Sequence, residues 1–231
     1  RKIRTSNKRA EVVVRSTLRC EHEKGVCQKC AGLSSSGQDH PIGENLGVLS
    51  AQTLGERAVQ LTLKHFHTGG IISGGKSLLG GFSRFKQLAH MPENVPNEAT
   101  LATRSGKIQK IEPDPTGAKI WIDGKAHHVA KDVEGNPLWQ PIPGDTSWKA
   151  PRVGMPIEKG HSLADPARTV INPHALYSAT GSIEKVQDFL TDEMHKLYEG
   201  EGVKRKHVEV LVKAMTNLTQ VHDPGDSEDV L

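Results

Sequence analysis

The chain has 231 residues, of which 35% are hydrophobic and 4% aromatic, with 23 glycines and 13 prolines. That composition argues against one large self-sufficient core. With no run near the roughly 18 apolar residues that cross a bilayer and no apolar segment near the start, it also gives no sign of a membrane span or a secretory leader. The net charge of +3 is too small to name a partner, so the expectation is a soluble, intracellular, loop-rich piece of a larger assembly.

The charge is unevenly placed. Arg1, Lys2, Arg4, Lys8, Arg9, Arg15 and Arg19 face only Glu11 before the first cysteine, whereas Asp223, Asp226, Glu228 and Asp229 make the far end acidic. A basic arm of this kind suits phosphates, and a solvated terminus explains it equally well. Residues 10–19, AEVVVRSTLR, alternate well enough to predict a strand leading into Cys20. A knuckle-like loop follows over 20–32. From Gly43 to about Phe66 the pattern is helical, with two helices expected to meet near Gly55 and Glu56. Residues 78–93 predict a short helix closed by Pro92. Short β-rich runs punctuated by Pro and Gly, such as LATRSGKIQKI and KIWIDG, fill 99–163 and predict a small sheet or barrel-like domain. The last third is helical. Ser182 is the expected N-cap of a helix carrying Ile183, Val186, Leu190, Met194 and Leu197, and Val208, Leu211, Val212 and Met215 mark another; both stripes read as core packing.

Three motifs carry chemistry. The only cysteines, Cys20, Cys27 and Cys30, are spaced C-x6-C-x2-C, which favours a metal over disulfides. Structural zinc takes four ligands in a tetrahedron, so the fourth is expected from His22, from His40 or from sequence outside this chain. The second motif is a helical face. Gln60, Leu63, Lys64 and His67 fall at i, i+3, i+4 and i+7, within a sector of about 100°, and offer an amide, an apolar surface, a cation and a titratable imidazole. Six of the thirteen residues from Gly69 to Gly81 are glycine, a segment open to backbone angles closed to other residues and so suited to a hinge. By pattern alone, an amphipathic helix with an ordinary polar side accounts for the same four residues. The third motif, GIISGGKS over 70–77, matches the phosphate-loop pattern through Gly70, Gly75, Lys76 and Ser77. Its context argues against nucleotide hydrolysis: the preceding LTLKHFHTG is helical rather than a buried strand, and Gly80 and Gly81 weaken a helix start.

RSTLRCEHEKGVCQKCAGL followed by IGENLGVLSAQTLGERAVQLTLKHFHTGG resembles the C-terminal region of the largest (β′) subunit of multisubunit DNA-dependent RNA polymerases, at its second zinc site and its trigger loop. The likeness continues in one order through LLGGFSRFKQLAHMPENVPNEATLATRSGKIQKI, RVGMPIEKGHSL, the two C-terminal helical runs and VHDPGDSE. It implies a loop that folds as a helical hairpin over an incoming nucleoside triphosphate. Gln60 would touch the ribose hydroxyls, Leu63 would pack on the base, Lys64 would approach the phosphates, and His67 would contact the β-phosphate as pyrophosphate forms. It also implies a structural zinc on Cys20, Cys27 and Cys30. Three departures from the family stand out. Arg57 and Ala58 replace a common Pro-Gly, which should make the helix more continuous. Leu63 stands for Met and Lys64 for the bacterial Arg, the latter keeping charge but losing the bidentate fork.

The family's catalytic magnesium needs a run of clustered aspartates like N-A-D-F-D-G-D, which this sequence lacks. The resemblance therefore implies Mg2+ held by aspartates outside this chain and no activity alone. It further implies partners in the remainder of β′, β, α and ω, together with DNA template, RNA transcript and nucleoside triphosphates, and no membrane. The expected fold is α+β, a multi-part subunit fragment. Its expected parts are a basic arm and zinc-binding segment (1–42), trigger-loop helices with a glycine hinge (43–98), a small β-rich domain (99–170) and a C-terminal helical segment (171–231). Such a piece of a split or truncated β′ belongs in the cytoplasm at the nucleoid, or in an infected cell if a virus encodes it. The competing expectation is a non-catalytic zinc-dependent module that binds nucleic acid or protein.

Overall fold

In the computed structural model the described residues are 13–68, 78–90, 95, 97–141 and 148–218, with the backbone path alone for 61–68 and 78–83. The basic arm before residue 13, the phosphate-loop match at 70–77 with most of the glycine-rich segment, and the acidic end lie outside them. In chain order the elements are α1 (Gln28–Ala31), α2 (Leu46–Thr68), α3 (Leu78–Ala89), β1 (Gly106–Asp114), β2 (Gly117–Ile122), β3 (Lys125–Ala130), β4 (Pro156–Ile157), α4 (Pro173–Thr180), α5 (Ile183–Leu197) and α6 (Arg205–Met215). The fold is α+β. It divides into two compact units, Arg1–Leu79 with Met194–Leu231, and Gly80–Glu193.

In the first unit α2 packs against α6. Asn45 caps α2, its Oδ1 accepting from the Val48 amide at 3.0 Å, which satisfies one of the N–H groups a helix start leaves open. The pattern predicts two helices meeting near Gly55 and Glu56. Instead α2 runs through that point as one helix of 23 residues. Gly55 weakens a helix by about 1 kcal/mol but does not break it, and Arg57 and Ala58 bring neither a ring nor a missing N–H. The strand predicted over 10–19 is also absent among the described residues 13–19. The buried Thr17 amide donates to the Glu209 carboxylate of α6 at 3.1 Å, and the Arg19 amide turns back to Ser16 Oγ at 3.1 Å. Those donors are taken by side chains rather than by a neighbouring strand.

The second unit is built on a four-stranded antiparallel sheet of order β3-β2-β1-β4. Asp123 and Gly124 connect β2 to β3 with φ of 46° and 73° and Ile122 opposite Lys125, the two-residue primed turn that Asp-Gly favours. At Gly117 a side chain would stand 2.1 Å from the Val129 carbonyl oxygen, so glycine is required where β2 meets β3. Alternation on the strands sends Ile108, Ile120, Ile122 and Val129 inward, where they join Leu138, Trp139, Ile157 and Leu163 in one core. The connection from β4 to α4 is tied by Arg168, which meets the fully buried Asp165 at 3.0 Å and donates to the carbonyls of Pro137 and Gln140.

The helices at the end follow their stripes except at Ile183, which is exposed. Ser182 Oγ accepts from the Lys185 amide at 3.3 Å, the N-cap expected of it, and Val186, Leu190 and Met194 on α5 are buried, as are Val208 and Val212 on α6. α4 starts with Asn172 as cap and Pro173 in its first turn, and it stops at Gly181 in the left-handed conformation, which glycine adopts without steric cost.

Candidate functional site

Two groups of residues invite chemistry, and both lie in the first unit. Cys20, Cys27 and Cys30 come together with their sulfurs all within 4.8 Å of one another. Zn–S bonds of about 2.3 Å in a tetrahedron set thiolates roughly 3.8 Å apart, so the three sulfurs fit one metal ion. Local sequence explains the convergence. α1 is a single helical turn whose Ala31 amide bonds the Cys27 carbonyl at 3.0 Å, which brings Cys27 and Cys30 to one side, and the Cys27 amide donates to Cys20 Sγ at 3.3 Å. Burial pushes the Cys20 thiol up, but hydrogen bonds from the amides of Cys27 and His22 and from the other two thiols outweigh it, and its pKa falls to about 7. Burial raises Cys30, and the neighbouring sulfurs add to that shift while the Arg15 guanidinium, 3.9 Å away, opposes it. A thiolate is thus accessible near neutral pH, the form a metal requires.

The two histidines expected as fourth ligands fare differently. His40 is buried, with Nδ1 2.6 Å from the Glu44 carboxylate and Nε2 3.0 Å from the Lys206 ammonium. The ammonium can only donate, so the Nε2 lone pair is spent on it and Nδ1–H points at Glu44. His40 has no nitrogen left for a metal, which corrects that expectation. His22 lines the same pocket as the three cysteines, but its Nδ1 faces the backbone of Lys24 and no ring nitrogen joins the sulfur cluster.

The second group lies on α2. Gln60, Leu63, Lys64 and His67 all fall on this one helix; the side chains of the last three lie outside the described residues. Gln60 is half-buried and held on both sides of its amide. Its Oε1 accepts from Arg57 at 2.8 Å, and its Nε2 donates to Glu56 at 3.1 Å. Arg57 therefore orients the first residue of the expected substrate face. No helix among the described residues is long and apolar enough to cross a membrane.

Sequence reasoning missed the charged side of α6. Lys206, Glu209 and Lys213 reach back to the knuckle: Lys206 donates to the Ala31 and Leu33 carbonyls, Glu209 accepts from Thr17, and Lys213 donates to the Cys20 carbonyl. Their i, i+3, i+7 spacing is the one available signal, and a solvated helix face shows the same spacing.

Comparison with known proteins covers nearly the whole chain. The family described as RNA polymerase Rpb1, domain 5 matches residues 11–228. The DNA-directed RNA polymerase subunit beta′ of Oceanobacillus iheyensis is 31% identical over 221 residues, 94% of this chain and 17% of that protein. The subunit beta′ of Thermus thermophilus is 33% identical over 220 residues, 94% and 13% respectively, and that of Clostridioides difficile 32% over 223, 94% and 18%. The chain spans less than a fifth of the length of these curated relatives. With one match running through the cysteine knuckle, α2, the sheet and the closing helices, the chain belongs to the RNA polymerase Rpb1 domain 5 family, the C-terminal part of the β′ subunit.

Proposed function

We propose that this chain works as part of a DNA-dependent RNA polymerase, supplying the mobile element that closes over the incoming nucleoside triphosphate during template-directed RNA synthesis. The observation that carries the reading is α2, unbroken from Leu46 to Thr68, inside a family match that covers both flanks. One continuous helix puts Gln60, Leu63, Lys64 and His67 on a single face, since 3.6 residues per turn brings i, i+3, i+4 and i+7 together. Gln60 then meets the ribose, Leu63 the base, Lys64 the phosphates, and His67 the β-phosphate. Phosphoryl transfer asks for positioning and charge stabilisation more than for covalent help, and an amide, an apolar contact, an ammonium and an imidazole supply those.

The rest of the catalyst comes from elsewhere: the remainder of β′, with β, α and ω, the DNA template and the transcript, and aspartates outside this chain for Mg2+. Cys20, Cys27 and Cys30 hold a structural zinc, with the fourth ligand from a partner segment. The assembly works in the cytoplasm at the nucleoid.

The test is His67→Ala in the assembled enzyme. A positioned acid contributes about 10² to 10⁴ in rate, so single-nucleotide addition should slow about 10²-fold while nucleic-acid binding stays as it was. Addition at the wild-type rate would remove the catalytic reading and leave the chain as a binding module.

A further inference from the structure

We infer that Lys206, Glu209 and Lys213 on α6 are positioning residues for the metal held by Cys20, Cys27 and Cys30, fixing from 173 to 193 residues away the backbone from which the thiolates project. The inference rests on the metal reading of the three cysteines. Positions 206, 209 and 213 lie within about 60° of one another around a helix, while Val208 and Val212, fully buried, take the other side. Each member of the row holds a different point of the knuckle. The Glu209 carboxylate accepts from the Thr17 amide at 3.1 Å and the Thr17 hydroxyl at 3.0 Å, on the segment that enters it. Lys213 Nζ donates to the carbonyl of Cys20 itself at 2.7 Å. Lys206 Nζ donates to the Ala31 and Leu33 carbonyls at 3.1 and 2.7 Å, just beyond Cys30.

The knuckle needs such outside help. Its only regular element is the four residues of α1, and residues 21–25, between Cys20 and the Cys27–Cys30 pair, are all exposed. Buried apolar residues flank the knuckle at Leu18 and Ala31, and the stretch between the ligands adds none. Bonds to the carbonyls on either side of the ligands fix Cys20 against its partners, at both ends at once. Groups that orient metal ligands commonly change metal affinity by about 10- to 100-fold when removed.

The test follows metal release from the purified native protein to a chromophoric chelator, beside the absorption spectrum of the cobalt-substituted protein. Lys213→Met should release the metal at least about tenfold faster and shift the thiolate-to-cobalt charge-transfer bands, and Lys213→Arg, which can still donate to the Cys20 carbonyl, should restore both. If Lys213→Met does not fold, Lys213→Gln carries the same readouts. Wild-type release with an unchanged cobalt spectrum in either folded variant overturns the inference while leaving the metal reading intact. A wild-type protein that binds no metal overturns both.

Discussion

The sheet and the cysteine knuckle are held by different physics. In the unit built on the sheet, Ile108, Ile120, Ile122, Val129 and Leu163 are at most 1% exposed and form one apolar core, each such side chain contributing about 1.5–3 kcal/mol by leaving water. In the unit built on α2 and α6, the cysteine knuckle is tied by charged side chains that reach across the fold. The sheet thus carries its own stability, while the knuckle borrows order from a helix near the other end of the chain. An apolar core tolerates changes that keep its volume. A charge-held knuckle loosens when a donor is removed, because the part-buried carbonyl of Cys20 or Ala31 loses its partner.

The comparison can be broken at three points outside the two tests above. The largest expected effect is in the sheet core. Ile120→Ala should cost about 3–4 kcal/mol, read as a lower denaturation midpoint, with metal release at the wild-type rate; faster release would mean that the knuckle depends on the sheet core too.

A smaller effect should come with pH. His127 is buried in the sheet unit, and its Nε2 accepts from the Thr103 amide at 3.0 Å, so its proton sits on Nδ1. Burial holds this imidazole below the usual histidine range, helped by the charges of Lys125 and Arg104 against hydrogen bonding with the backbone of Ile120 and Lys125. The unfolded chain takes up a proton near pH 6.5 that the folded chain refuses until lower pH. The stability contributed by neutral His127 is therefore complete above about pH 6.5 and is lost as the pH falls through the folded value. His127→Gln should narrow the gap between melting temperatures at pH 7.5 and pH 5.5. An unchanged gap would show that His127 does not carry this dependence.

The smallest effect belongs to α2. A side chain at Gly55 would meet nothing within 4 Å, so Gly55→Ala should stabilise this helix by about 0.5–1 kcal/mol, visible as slower amide exchange around it. If the helix must bend at Gly55 when the proposed loop closes, the same variant will slow nucleotide addition, which locates the bend.

Legibility in the sequence tracked the range of the interactions involved. KIWIDG announced part of the sheet because β-branched and aromatic residues beside a glycine are a local signal. The α5 and α6 stripes announced their buried faces because helical periodicity is local. The C-x2-C spacing brought Cys27 and Cys30 together for the same reason. What misled were the segments whose partners are remote. Residues 13–19 alternate like a strand, yet Thr17 spends its amide on Glu209. His40 looked like a ligand until Lys206 took its lone pair. α2 looked divisible at Gly55 because a pattern registers a glycine's weakness without the hydrogen bonds on either side of it.

By itself, the sequence determined the three metal-ready thiols, the β-rich runs of the sheet, the amphipathic faces of the last two helices and the family resemblance, all of which rest on near neighbours or on residue type. Only the tertiary structure decided where the charges of α6 go. Lys206, Glu209 and Lys213 read as a solvated row, and a charged side chain's partner depends on what the fold brings opposite it. Here that is backbone next to the cysteines, from the other end of the chain.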